Sequence, residues 1–164
     1  MIEIVFGTRT DIDMWMELVQ KVRWNFPGLE TEQALQEHRE TVLEFMDEGQ
    51  AICAKNDGSI VGVLLFSRKL NMLCCLAVDA RYRRQHIASS MFEKVLSIAD
   101  PDRDLTVSTF REGDPKGIAP RRFYQKHGFR EGELIEEYQY PCQIFVRPAN
   151  LDRSVIERGE SCAD

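Results

Sequence analysis

Three arginines fall within four residues in Arg81-Tyr-Arg-Arg84, just after the apolar run Met72-Leu-Cys-Cys-Leu-Ala-Val78 and just before a helical pattern of Ile87, Met91, Val95 and Leu96. A strand that enters a helix through a tight turn offers an anion the helix's first unpaired N–H groups and their partial positive charge. Guanidinium groups strengthen that field and match phosphate oxygens in a two-bonded fork. The segment is therefore a candidate phosphate cradle. The plain alternative is a set of surface arginines with no ligand, and an isolated cluster favours it; the rest of the sequence has to decide.

Other chemistries find little support. His38, His86 and His127 are scattered, with no pair spaced to share a helix face, and the five cysteines (Cys53, Cys74, Cys75, Cys142 and Cys162) show no C-x-x-C spacing, so no metal is expected. An odd number of cysteines, mostly in apolar runs, reads as reduced, partly buried thiols. Cys74 and Cys75 have no neighbouring histidine to activate them and read as small hydrophobes. A net charge of −6 disfavours nucleic acid and suits a cationic partner such as an amine, although most such charge only keeps a surface solvated. No apolar run approaches the ~20 residues that span a bilayer, and Met1-Ile-Glu-Ile-Val-Phe lacks the flanks of a signal peptide, so no membrane association and a cytoplasmic location are expected.

The elements that must position the arginines follow from periodicity and punctuation. Met1–Phe6 reads as a strand, with Thr10 and Asp13 as a capping box for a helix buried through Met14, Trp15, Leu18, Val19 and Val22. Thr31 caps a second helix, buried at Leu35, Val42, Phe45 and Met46 and stopped at Gly49. Asn56-Asp-Gly-Ser59 joins two β-prone runs into a hairpin. The run Met72–Val78, apolar on both faces, reads as a strand buried on each side. After the arginine helix come a strand, Leu105–Phe110, and a short helix bracketed by Pro120 at its first position and Gly128 past its end. A β-prone stretch from Leu134 to Val146 is interrupted at Pro141, and a loosely held polar terminus follows. The order β-α-α-β-β-β-α-β-α-β-β predicts an α/β domain with one mixed, mostly antiparallel sheet flanked by helices.

Two of these stretches carry a resemblance. Leu76-Ala-Val-Asp-Ala-Arg-Tyr-Arg-Arg-Gln-His-Ile-Ala88 resembles the acyl-CoA segment of the GNAT superfamily of N-acyltransferases, a strand followed by R/Q-x-x-G-x-G/A opening a helix. Pro120-Arg-Arg-Phe-Tyr-Gln-Lys-His-Gly-Phe129 resembles that family's short helix, marked by Phe/Leu-Tyr, three residues, then Gly-Phe. Both occur in family order. The likeness covers residues 1–147 as a single GNAT-like acyltransferase domain and leaves 148–164 as a polar C-terminal tail. Two positions depart from the pattern. His86 stands where the family has glycine, and Gly117 or Ile118 stands where many members have asparagine.

The resemblance implies transfer of an acetyl group from acetyl-CoA, as cosubstrate, to a primary amine by direct attack. It places Arg83, Arg84, Gln85, His86, Ile87 and Ala88 around the pyrophosphate. It also places the backbone of Leu76, Ala77 and Val78 along the pantetheine arm, with an N–H there stabilising the thioester oxyanion, in a sheet splayed at this central strand. Tyr124 matches the family's general acid for the departing thiolate; for an arbitrary helix tyrosine, simple packing would be the better reading. Phe123 and Phe129 read as core and His127 as a helix-end cation. A protonated amine must lose a proton before it attacks, which holds the reaction back by roughly 4 kcal/mol at neutral pH. Glu32, Glu37 and Glu112 read as surface charges, so the base is unassigned. The acceptor is a small-molecule or protein amine, and homodimer formation is left open. A different class of function, a non-catalytic acyl-CoA sensing or partner-binding module of the same fold, differs from the enzyme in releasing no thiol.

Overall fold

Asp57 and Gly58 both take positive φ, 50° and 87°, so the turn between them closes the hairpin in the form whose twist matches paired strands. This hairpin is the centre of the first of two compact units into which the chain packs, one running from Met1 to Ile98 and the other from Ala99 onward. The computed structural model describes residues 1–152; Cys162 and the polar tail past Asp152 lie outside them. The first unit contains β1 (Ile2–Phe6), α1 (Ile12–Val22), α2 (Glu32–Asp47), β2 (Ala51–Asn56), β3 (Ser59–Ser67), β4 (Met72–Val78) and α3 (Ile87–Leu96). The second contains β5 (Leu105–Phe110), α4 (Ile118–Lys126), β6 (Arg130–Glu137) and β7 (Tyr140–Arg147).

In the first unit the strands pair antiparallel in chain order, with Val5 opposite Cys53, Cys53 opposite Val63, and Leu64 opposite Leu76. Alternation sends successive side chains to opposite faces. Cys53, Val63 and Leu65 pack against Trp15, Leu18 and Val19 of α1 and Val42 and Met46 of α2, with Cys75 and Ala77 of β4 at the margin of that core. Gly62 faces the other way. A Cβ there would lie 3.0 Å from Met91 and 3.1 Å from Ile87, so the missing side chain lets α3 settle onto β3. Burial of side chains as large as Trp15, Phe66 and Phe92 is worth roughly 1.5–3 kcal/mol each.

In the second unit β7 lies between β5 and β6, antiparallel to both. Tyr138 and Gln139, at φ 50° and 65°, form the turn from β6 to β7. Pro141 sits on β7 one residue past the closing Glu137–Tyr140 pair, opposite Glu136.

Several local expectations need correction. The capping box is two residues earlier than Thr10–Asp13: the Thr8 amide donates to the Asp11 carboxylate at 2.9 Å, and a short 3-10 turn at Arg9–Asp11 precedes α1. Buried Asp11 also accepts from Lys55 at 2.8 Å. β4 is not buried on both faces, since Cys74 is exposed and Cys75 to Val78 are only half-buried. β6 begins at Arg130 rather than near Leu134, because its first residues are exposed and leave no apolar alternation to read. α4 begins at Ile118, which makes Pro120 its third residue. That is tolerated because the first-turn amides have no helical acceptor. Phe45 and Phe123 are half-buried rather than core. The first tail residues are tied down: Ala149 donates to the Asp104 carboxylate at 2.9 Å and Asn150 to the Pro101 carbonyl at 2.7 Å.

Candidate functional site

The strand end and turn singled out by the arginines are built in three steps. Val78 pairs with Gly62 at the end of β4, and the Asp79 amide extends the ladder to the Val61 carbonyl at 2.8 Å. The Asp79 carboxylate then accepts the Arg81 amide at 3.0 Å and so caps a 3-10 turn at Ala80–Tyr82. Finally Arg84 and His86 take left-handed backbone, φ 64° and 60°, and His86 becomes the residue from which α3 starts. Each left-handed residue with a side chain costs roughly 1–2 kcal/mol, and such conformations gather where a backbone must present its amides. Both the amide and the hydroxyl of Ser90 donate to the His86 carbonyl, at 3.0 and 2.9 Å, which fixes that first turn.

The arginines divide into two kinds. Arg81 is not a free cation, because its Nε and Nη2 reach the buried Asp79 carboxylate at 3.3 and 3.0 Å. The Arg81 hydrogen bonds are the main reason the Asp79 carboxyl is held down to about 2. Arg83 and Arg84 are exposed and form no ion pair among the described residues. Gln85 and His86 are also exposed and Ala88 is half-buried. Ile87 is only 3% exposed, so its side chain holds α3 to the sheet and only its backbone can face a ligand. Ala77 turns toward the α1–α2 core, whereas Leu76 and Val78 follow Leu64 and Gly62 on the opposite side and stay half-exposed.

In the second unit, Tyr124 is 6% exposed, with its ring edge-on to Phe129 at 5.4 Å and Phe145 at 6.4 Å. The spacing Tyr-x-x-x-Gly-Phe has a mechanical cause. Gly128, at φ 89°, ends α4, its amide returning to the Gln125 carbonyl at 3.2 Å and that of Phe129 to the Tyr124 carbonyl at 2.9 Å. These two reversed bonds and the contact between Tyr124 and Phe129 make a Schellman ending, which orients Tyr124 whatever else it does. Arg121, an unexpected buried charge, donates to the Phe110 carbonyl at 2.9 Å, to Gln143 at 2.8 Å and to Glu131 at 2.5 Å. Beside it a polar cleft of about 240 Å³ is lined by Glu112, Asp114, Arg122 and Gln125 among others. There the Tyr140 hydroxyl donates to Asp114 at 2.6 Å, and that hydrogen bond raises its pKa.

Of the carboxylates considered as a base, Glu32 meets Arg23 at 3.3 Å, Glu37 accepts from Gln33 at 3.3 Å, and Glu112 lies on the polar cleft. Burial pushes the Cys75 thiol up to about 12, far from a thiolate at neutral pH, while Cys74 is exposed rather than the small buried hydrophobe expected. Among the described residues no group of histidine, cysteine and carboxylate side chains is arranged to hold a metal. The signals missed from sequence were Asp79, whose role depends on the spatial return of Arg81, and Arg121, which read as one more surface cation.

A sequence model described as an acetyltransferase (GNAT) domain matches residues 47–131, just over half of the chain, including β4, the arginine turn and the Tyr-x-x-x-Gly-Phe ending. No curated protein sequence matches. Among solved structures, a GNAT-family acetyltransferase from Bacillus cereus is 22% identical with a TM-score of 0.70, covering 90% of this chain and 97% of its own. One from Staphylococcus aureus is 21% identical with a TM-score of 0.73, covering 91% and 99%. The PaiA N-acetyltransferase from Thermoplasma acidophilum, solved in complex with coenzyme A, is 16% identical with a TM-score of 0.69, covering 90% and 99%. These likenesses establish the α/β fold. With the matched domain, they identify the chain as a member of the GNAT family of acetyltransferases.

Proposed function

We propose that this protein is an acetyl-CoA-dependent N-acetyltransferase acting on a primary amine by direct attack, with residues 1–147 as the acyltransferase domain. The observation that carries the reading is the β4–α3 turn, where two exposed guanidinium groups with no carboxylate partner among the described residues, Arg83 and Arg84, precede the first turn of a ten-residue helix. That set of donors fits a diphosphate, and the half-exposed apolar Leu76 and Val78 fit an apolar, amide-bearing arm laid along the strand. Arg83, Arg84, Gln85, His86 and the backbone of Ile87 and Ala88 would hold the diphosphate, and the β4 backbone at Leu76, Ala77 and Val78 the arm.

When bound, acetyl-CoA supplies the acetyl group as a thioester. A β4 backbone N–H offers a fixed donor to the carbonyl oxygen as it gains charge, which needs no rearrangement during reaction. Tyr124 gives its hydroxyl proton to the sulfur as the C–S bond breaks, the electron pair of that bond leaving with the sulfur. The acetyl group passes to the amine nitrogen, which sheds a proton to water as the new C–N bond forms, and the Tyr124 oxygen takes a proton back from water; no residue is acylated, in keeping with a Cys75 thiol that burial keeps protonated. The proposal locates the reaction in the cytoplasm. Support comes from the unpaired thiols of Cys53, Cys75 and Cys142, and from the lack, among the described residues, of any helix long and apolar enough to cross a membrane.

The test is Tyr124→Phe, which keeps the ring against Phe129 and Phe145. CoA release with a panel of amines should fall by about 10²-fold or more at unchanged melting temperature, the scale of a lost general acid. Unchanged turnover removes the assignment. CoA binding by the wild type with no thiol release across the panel would instead favour a non-catalytic acyl-CoA sensing module, a reading that His86 in the glycine position keeps in view.

A further inference from the structure

Asp79 is a side chain that the reaction as proposed does not use, yet it is the most heavily engaged group next to the turn. It is 6% exposed and lies between the last residue of β4 and the 3-10 turn. Its carboxylate receives the Arg81 amide at 3.0 Å, Arg81 Nε at 3.3 Å and Nη2 at 3.0 Å, and Lys21 of α1 stands 3.8 Å away. Its backbone is held too, with the Asp79 amide on Val61 at 2.8 Å and the Tyr82 amide on the Asp79 carbonyl at 2.9 Å. Asn56, at the end of β2, donates to the Tyr82 hydroxyl at 3.2 Å. These ties, upstream of the left-handed pair Arg84 and His86, run through Asp79 and Tyr82. The Arg81 fork that would match a phosphate is already engaged by a carboxylate.

We propose that Asp79 is a positioning residue for the diphosphate turn, acting through Arg81 and Lys21, and that Arg81 belongs to this clamp rather than to the phosphate contacts. The inference rests on the reading that the turn binds acyl-CoA. A buried carboxylate whose Oδ2 meets both the Arg81 guanidinium and the Lys21 ammonium sets where the 3-10 turn leaves the sheet. That in turn sets where Arg83 and Arg84 emerge. Preorganisation of this kind shows as affinity, because a turn left to wander must be ordered again when the anion arrives.

The test is the charge-neutral double variant D79N/R81Q, which removes the clamp without altering net charge. CoA binding is measured by calorimetry at several salt concentrations, with melting temperature recorded alongside. The dissociation constant of CoA should rise about tenfold, and its dependence on salt should stay as in the wild type, because no phosphate-facing cation is lost. Arg83→Gln provides the contrast, since its affinity loss should come with a weaker salt dependence. D79N alone, whose side-chain oxygen can still cap the Arg81 amide, covers a double variant that fails to fold and should lose about threefold. Three results would overturn the proposal: wild-type affinity in the folded variants, a drop in salt dependence like that of Arg83→Gln, or a lower melting temperature with unchanged affinity. A wild-type protein that gives no heat with CoA removes the reading of the turn itself, and this proposal with it. That outcome is distinct from a wild type that binds alongside variants that bind equally well.

Discussion

His86 holds φ 60° with an exposed imidazole, at the position where the family pattern has glycine. A Cβ in left-handed backbone costs roughly 1–2 kcal/mol, partly offset by the smaller entropy that a non-glycine residue loses on folding. His86→Gly should therefore raise the unfolding free energy by about 0.5–1 kcal/mol, and His86→Val should lower it by about 1 kcal/mol, since β-branched residues are the poorest at positive φ. Urea unfolding of the two variants checks both signs; equal midpoints would mean that the turn relaxes to another conformation. The sequence showed the substitution of a glycine but not its cost, because φ is set by the chain on both sides. Arg81 makes the same point for charge. Spacing alone placed it in the positive field, and only the fold brings its guanidinium back onto Asp79.

At the scale of elements, Gly62 links the sheet to the proposed cofactor turn. A Cβ at this position would lie 3.0 Å from the flexible end of Met91, 3.1 Å from Ile87 Cγ2 and 3.3 Å from the Ala54 Cβ. Met91 can move, but Ile87 is the first residue of α3, so its displacement shifts the helix start. Gly62→Ala should cost about 1–3 kcal/mol by overpacking and should weaken CoA binding as well, while Gly58→Ala, at a hairpin turn with open space around it, should spare CoA binding. Melting curves and calorimetry on the pair separate the two effects. Helix and strand order was legible because caps, turns and apolar periods are local signals, as at Thr31, whose side chain accepts the Ala34 amide at 3.0 Å. The exposure of β4 was not legible. An apolar run looks alike whether a protein face or a ligand is to cover it, and here Leu76 and Val78 stay half-exposed.

For the molecule as a whole, the groups with displaced titration predict two steps in acid. His38 of α2 has its Nε2 buried with no hydrogen-bond partner among the described residues, and burial lowers its pKa from the usual 6.5. The unfolded chain therefore takes up this proton before the folded one, and the associated stability, present above about pH 6.5, is lost as pH falls below it. For Asp79 the Arg81 hydrogen bonds dominate and depress the pKa from 3.8 to about 2. Burial works to raise the Asp11 carboxyl, but the Lys55 and Thr8 hydrogen bonds outweigh it and the net shift is downward. Both are depressed carboxylates, so their contribution is whole above about pH 4 and is lost as pH falls toward 2, on the order of 2 kcal/mol for Asp79. Urea midpoints should thus begin to drop as pH falls through about 6.5, and a second drop should follow below about pH 4. His38→Gln should erase the first drop and leave the second, whereas D79N should shrink only the second. A first drop that survives His38→Gln would place the neutral-range titration elsewhere in the chain.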